Sequence, residues 1–178
     1  MGMVSNGRRL KNPLFCEELK ESGLNNVSIS IEGYDSQSHD SVTQTIGSYK
    51  ETISGIRSAS KAGLKISTNT VIGKNNINDL ERIVHTISKE KVDSITFNVC
   101  GVCLSNEENN QDLLPLNRAV EAYQKIHDQI KLLGLKSRLV TPIPYCLFEE
   151  DNRRKLAEER SISGALSIGS WKEFCYRI

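Results

Sequence analysis

The feature that most constrains this chain is a regular alternation of strand patterns with helix patterns along its length. Residues 27–31 alternate strictly between apolar and small polar side chains, which is typical of a strand, and residues 48–62 carry an apolar stripe at helical spacing. The same two patterns recur, with further strands expected at 65–72, 93–99 and 135–141 and further helices at 13–23, 77–87 and 116–133. Strands that alternate with helices through short connections form a parallel sheet with right-handed crossovers.

The number of strands limits which parallel sheet this can be. Five strands are expected in 178 residues, and the first is only a stub at Met3-Val4-Ser5. A closed eight-stranded barrel usually takes about 250 residues. The pattern therefore leaves an open partial barrel, a doubly wound sheet, or a piece of a larger fold.

Three successive strands have one apolar face and one small, polar face. The polar face collects Ser28, Ser30 and Glu32 from the first strand, Lys65, Ser67 and Asn69 from the second, and Ser94, Thr96 and Asn98 from the third. Strands buried on both faces usually consist of continuous Val, Ile and Leu instead. This face either lines a wet or ligand-filled concavity or meets solvent on a one-sided sheet, and the pattern alone leaves both open.

Composition excludes several classes of protein. Lys and Arg number 23 against 22 Asp and Glu, so no global field favours nucleic acid. No apolar run approaches the roughly 20 residues of a membrane span, and we expect a cytoplasmic protein without a disulfide framework. The cysteines are then buried thiols or metal ligands, and four of them could form the thiolate shell of an iron–sulfur cluster: Cys100, Cys103, Cys146 and Cys175.

Four short motifs occur in a fixed order over residues 4–100. They are Ser5-Asn6-Gly7, VSISIEG at 27–33, His39-Asp40 followed by Gly47-Ser48-Tyr49, and Asn69-Thr70-Val71-Ile72 followed by Asn76, Asp79 and Leu80. The series resembles the "TNG", "SIDG", "HD…GSF" and "NTVI…N..DL" elements of radical S-adenosylmethionine (SAM) enzymes. The resemblance implies a TIM-like parallel partial (βα) barrel and places His39 in a structural element.

The same resemblance implies cofactors and a site. The positions of Ser30 and Asn69 match side chains that contact the SAM ribose and carboxylate in that family. Glu32 and Asn98 share their face and are predicted to bind the cofactor as well, although Glu32 could instead bind the substrate or cap a loop at the strand end. An enzyme of this family binds SAM and a [4Fe–4S] cluster and generates a 5′-deoxyadenosyl radical. The radical would abstract a hydrogen atom from a substrate, here an unknown peptide or small molecule.

Two of the family's defining elements are absent from this sequence. It contains neither the Cys-x3-Cys-x2-Cys motif that ligates the catalytic cluster nor the Gly-Gly-Glu motif, and Thr43 stands where relatives often carry Arg. We therefore expect a fragment, truncated at the N-terminus and inactive alone, with residues 1–141 forming the later part of the barrel. Residues 142–178 would begin a Cys-containing extension of the SPASM or twitch type.

Two further expectations follow from the missing strands. The strand at 27–31 should be an exposed sheet edge, because the stub before it is too short to cover it, and the chain should self-associate through that edge. The alternative to an enzyme fragment is a non-catalytic α/β binding or structural module that reached this pattern independently.

Overall fold

Five parallel strands form one sheet in which each strand lies beside the next strand of the sequence. The computed structural model describes residues 1–99, 114–141, 143–144, 147–148 and 150–158. The strands are β1 (Gly2–Ser5), β2 (Asn26–Ser30), β3 (Lys65–Ile72), β4 (Ser94–Val99) and β5 (Lys136–Leu139), in the order β1-β2-β3-β4-β5. Doubly wound sheets reverse their strand order at a switch point, whereas (βα) barrels run in sequence order. The observed order confirms the TIM-like partial barrel.

Six α-helices connect or follow the strands in the described part of the chain. They are α1 (Pro13–Glu21), α2 (Ser36–Thr43), α3 (Ser48–Lys61), α4 (Leu80–Ser88), α5 (Leu116–Leu132) and α6 (Glu150–Glu158). The short helix α2 is not predicted by the apolar pattern, because most of its residues are polar. No helix among the described residues is both long enough and apolar enough to cross a membrane.

The core lies between the helices and the apolar face of the sheet. Burial alternates along β2, β3, β4 and β5, as the period-2 pattern requires. Ile29, Ile66, Ile95 and Phe97 are almost completely buried, and each such side chain stabilises the fold by roughly 1.5–3 kcal/mol through removal from water. This packing leaves the alternate residues of each strand on the opposite, concave face.

The expected free edge at 27–31 is wrong. Strand β1 pairs in parallel with β2 from Gly2 beside Asn26 to Ser5 beside Ile29, so the stub covers most of β2. Strand β1 is itself the outermost strand of the described sheet. Its Val4 side chain is 77% exposed, and Leu14 on the adjoining helix α1 is 67% exposed.

Candidate functional site

A row of polar side chains crosses the concave face of the sheet. Ser30 of β2 lies beside Asn69 of β3, Asn69 lies beside Thr96 of β4, and Thr96 lies beside Arg138 of β5. Ser30, Asn69 and Thr96 are half-buried. Because they alternate with buried residues along their strands, these three side chains point away from the helices, as the sequence pattern predicts.

One hydrogen bond fixes the amide at the centre of this row. Asn98 lies two residues after Thr96 on β4. Its Nδ2 donates to the Oδ1 of Asn69 at 2.6 Å. With its oxygen engaged, Asn69 has its own NH2 group left to donate into the concavity. Ser30 adds a hydroxyl on the neighbouring strand, which can both donate and accept. The arrangement suits a ligand that carries hydroxyl or carboxylate oxygens.

Glu32 lies where β2 ends, and its carboxylate turns back toward the sheet. Its Oε2 accepts a hydrogen bond from the backbone N–H of Val71 at 3.0 Å. Burial raises the pKa of Glu32, although the bond from Val71 opposes that rise. Glu32 therefore joins the ends of β2 and β3, a structural role that uses one of its two carboxylate oxygens.

A second residue, which the sequence pattern did not assign to this region, holds the turn that follows β3. The Nδ2 of Asn76 donates to the carbonyl of Val71 at 2.8 Å, and its Oδ1 accepts from the N–H of Gly73 at 2.9 Å. The same Nδ2 also lies 3.5 Å from the carbonyl of Glu32, after the end of β2. Asn76 is 5% exposed. Its place in the "NTVI…N" motif is thus explained by a turn at the rim of the concave face, which is formed by the segments that follow β2 and β3.

The His39-Asp40 motif also has a structural role. The Nδ1 of His39 accepts from the backbone N–H of Glu32 at 3.1 Å, and burial lowers the pKa of this imidazole. The Asp40 carboxylate accepts from the N–H groups of Gly47 and Tyr49 and from the Ser48 hydroxyl, at 2.6–2.8 Å. The bond from Tyr49, followed by those of Ser48 and Gly47, lowers the pKa of Asp40. These contacts connect the end of β2 to the start of α3.

The Ser5-Asn6-Gly7 motif forms a tight turn at the end of β1. Gly7 has a φ of 77°, and a Cβ there would lie 2.7 Å from the Cγ2 of Ile29. The Thr52 hydroxyl of α3 donates to the Asn6 carbonyl at 2.9 Å, and Gly55 allows the same helix to approach the turn closely. Only a residue without a side chain fits at Gly7, which explains the motif physically.

The placement of the four cysteines that the sequence suggests as metal ligands is not described by the structure. Cys100, Cys103, Cys146 and Cys175 lie outside the described residues. Cys16 is buried, its thiol donates to the Leu10 carbonyl at 3.1 Å, and burial raises its pKa. Across the described ranges, no group of three or more His, Cys, Asp or Glu side chains could hold a metal ion.

The two remaining histidines are found in different environments. His127 of α5 is buried, and its Nδ1 lies 2.8 Å from the Ser137 hydroxyl and 3.4 Å from the Tyr123 hydroxyl. His127 therefore has a structural role between α5 and β5. His85 lies exposed on the surface of α4, so burial does not explain its presence.

Strand β5 carries a feature of the concave face that the sequence analysis missed. Ser137 and Leu139 are buried on the helix side, while Lys136 and Arg138 between them are exposed. The alternation of Lys136-Ser137-Arg138-Leu139 is a period-2 signal, and applying it to this strand would have placed both cations on the concave face.

Comparison with known proteins supports the relationship that the motifs indicate. Residues 1–87 match the family model of the radical SAM superfamily. The chain is 22% identical over 169 residues to an Fe-coproporphyrin III synthase of Methanosarcina barkeri, covering 88% of this chain and 41% of that protein. It is 35% identical over 91 residues to a GTP 3′,8-cyclase of Petrotoga mobilis, covering 49% of this chain and 27% of that protein. The similarity to the radical SAM superfamily model thus covers just under half of this chain.

The matches cover only part of each relative. The chain spans less than half of the length of the curated relatives it matches. Among solved structures, a sugar phosphate isomerase/epimerase from Parabacteroides distasonis aligns with 98% of this chain and 60% of that chain, at a TM-score of 0.46 and 13% identity. The assignment of the fold here depends on the strand order itself.

Proposed function

We propose that this chain is the later part of the barrel of a radical SAM enzyme and that its concave face binds S-adenosylmethionine. The observation that carries the proposal is the Asn98–Asn69 hydrogen bond in a polar row that begins at Ser30. Hydroxyl and amide groups of this kind match the ribose hydroxyls and the carboxylate of that cofactor. Given one electron from a reduced [4Fe–4S] cluster, bound SAM would supply the radical that abstracts a hydrogen atom from a substrate.

The chain's own residues would bind and orient the cofactor. The Asn69 NH2 group would donate to a cofactor oxygen while Asn98 holds its amide plane. The Ser30 hydroxyl would bond a neighbouring oxygen, and Glu32 would keep the rim closed through Val71. The contacts of Asn76 and His39 hold the segments after β2 and β3 in one geometry. Binding and orienting a cofactor on such a fixed frame is what a protein generally contributes to cofactor chemistry.

The described residues fit SAM but do not fit a [4Fe–4S] cluster. They supply one cysteine, the buried Cys16, and the sequence has no Cys-x3-Cys-x2-Cys motif. We propose that the catalytic cluster is held by protein residues other than those of this chain. We also propose that Cys100 and Cys103, together with Cys146 and Cys175 of a C-terminal extension that begins near residue 142, ligate an auxiliary cluster.

Binding of SAM to the full chain tests the proposal directly. In a ¹⁵N–¹H NMR titration with SAM, the amides of Ser30, Asn69 and Asn98 should shift saturably. Asn69→Ala should weaken the binding, whereas the matched control Asn78→Ala should not, because Asn78 is exposed beside the groove between α4 and α5. Loss of about one charge-assisted hydrogen bond predicts a roughly tenfold weaker affinity for Asn69→Ala.

Two results would reject this function. Shifts that are absent from the concave face, or equal weakening by Asn69→Ala and Asn78→Ala, would favour the non-catalytic α/β module.

The chain incubated anaerobically with iron, sulfide, reductant and SAM should release no 5′-deoxyadenosine above a protein-free control, because the catalytic cysteine motif is missing from the sequence.

A further inference from the structure

Glu32 is a carboxylate on the concave face that has no positive partner among the described residues. It lies two residues after β2, at the carboxyl end of the sheet, where parallel α/β folds usually bind their ligands. The residue is half-buried, and its Oε2 accepts the hydrogen bond from Val71 at 3.0 Å. Within the described ranges, no hydrogen bond or ion pair engages the Oε1 of Glu32. One carboxylate oxygen therefore remains available to a ligand.

The cations nearest to Glu32 along the chain and the sheet are engaged elsewhere or are separated from it. Lys74, in the turn that follows β3, already has a contact within the chain. Arg82 of α4 lies over the Tyr34 ring at 3.6 Å and pairs with Asp79 at 3.4 Å. The cations of β5 lie three strands away from β2. The concave face therefore holds a carboxylate whose charge these cations do not balance.

The closest neighbours of this carboxylate do not replace a counter-charge. His39, whose Nδ1 accepts from the Glu32 N–H, presents a lone pair to this segment, and burial lowers its pKa. Burial is also the main cause that raises the pKa of Glu32, and the opposing cause is the neutral N–H of Val71 rather than a cation. A carboxylate in this state has lost part of its hydration without gaining an ion pair, which is typical of a binding site.

We propose that the Oε1 of Glu32 binds a positively charged group of the ligand, a sulfonium or a protonated amine. This proposal rests on the proposed function, because it takes the concave face as the ligand site. A cation there would supply the Coulomb attraction that Glu32 lacks, and an amine would add a charge-assisted hydrogen bond. The Ser30 hydroxyl, about 6.6 Å back along β2, and the Asn69 NH2 group can then bond the oxygen-rich part of the same ligand.

Two sources can bring such a charge to this site. The proposed cofactor SAM carries a sulfonium and an amine, and an amine of the substrate is the other source. An anionic group is instead repelled by a carboxylate that no cation balances, so no carboxylate or phosphate of a substrate should lie against Glu32.

The test compares Glu32→Gln with the parent chain. Glutamine keeps the shape and one side-chain oxygen for the Val71 N–H, so the variant removes the charge without removing that contact. Glu17→Gln is the matched control, because Glu17 is exposed on α1, on the helix side of the sheet. The full ¹⁵N-labelled chain and both variants are titrated at constant ionic strength with three separate probes. These are SAM, S-adenosylhomocysteine, which lacks the sulfonium, and n-butylammonium.

At least one probe should bind Glu32→Gln at least about tenfold more weakly than the parent chain, because a charge-assisted hydrogen bond or ion pair is lost. Glu17→Gln should bind the same probe like the parent chain. Weakening with SAM alone supports the sulfonium, equal weakening with SAM and S-adenosylhomocysteine supports the cofactor amine, and weakening with n-butylammonium supports a substrate amine. Equal affinities of the parent chain and Glu32→Gln for all three probes, or equal weakening in both variants, would overturn the proposal.

The ¹³C resonance of the Glu32 carboxyl carbon gives a second measurement that needs no variant. A bound cation favours the charged carboxylate, so saturation with that probe should lower the pKa of Glu32, and an unchanged pKa would also overturn the proposal. The amides of Ser30, Asn69 and Asn98 separate this proposal from the proposed function. If SAM shifts these amides but no probe depends on the Glu32 charge, only the cation site is rejected. If n-butylammonium binding depends on that charge while SAM leaves the amides unchanged, only the proposed function is rejected.

Discussion

Replacing Gly55 with alanine would raise the helix propensity of α3 but would also create a steric clash with the turn at Gly7. Gly55 lies in the interior of α3, where alanine is favoured over glycine by about 1 kcal/mol. On that basis alone Gly55→Ala would stabilise the protein. In the structure, however, a Cβ at this position would lie 2.1 Å from the Gly7 carbonyl oxygen and 3.2 Å from the Leu10 Cβ.

The free-energy cost of the steric clash is larger than the gain in helix propensity. Ordinary contact begins near 3.4 Å, so the helix and the turn at Gly7 must separate by about 1.3 Å. The closest contact is with backbone, which rules out relief by a rotamer change, and overpacking of this kind costs about 3 kcal/mol. Subtracting the helix gain leaves a net destabilisation of about 2 kcal/mol, or a melting temperature lower by about 4–8 °C for a domain of this size.

Urea unfolding followed by circular dichroism measures this difference. Ser60→Ala in the same helix is the matched control, and it should stabilise the chain by about 0.5 kcal/mol because no such contact opposes the better helix former. A Gly55→Ala variant as stable as the parent chain, or more stable, would refute the argument that α3 must touch the turn after β1.

Three further predictions concern protonation and the sheet edge. Because burial lowers the pKa of His39, the unfolded chain binds more protons, so stability should be lost as pH falls below the ordinary histidine value of about 6.5. His39→Asn, whose Oδ1 can replace the ring acceptor, should reduce this loss between pH 7 and 5.5 in urea unfolding, and an unchanged slope would contradict it. Because burial raises the pKa of Glu32, the stability of the parent chain relative to Glu32→Gln should fall as pH rises from about 4.3 toward neutrality, and a constant difference across that window would show that the carboxylate is not desolvated. The parent chain should self-associate through β1, and Val4→Lys should suppress this in sedimentation experiments at tens of micromolar. A monodisperse parent monomer at that concentration would contradict the edge argument.

Much of the sheet could be predicted from local pattern. The strands expected at 27–31, 65–72 and 93–99 agree with the structure to within about one residue, because a period of two is visible in any half-buried strand. Strand β5 is shorter than the expected 135–141, since only Lys136–Leu139 pairs with β4. Helix α2 was missed because its Ser, His and Asp residues are weak helix formers. Asp35 caps it through Ser38, and His39 bonds the end of β2, contacts that depend on the fold.

The sequence by itself determined which face each polar side chain of the strands would occupy. Alternation is a property of neighbouring residues, so the order of residues alone assigns Ser30, Asn69 and Asn98 to one face. Only the tertiary structure decided their partners. The Asn98–Asn69 bond joins residues 29 positions apart, and the Glu32–Val71 bond joins residues 39 positions apart. The pairing of β1 with β2, which removed the expected free edge, likewise depends on register between distant segments, and register is set by how the whole sheet packs on its helices.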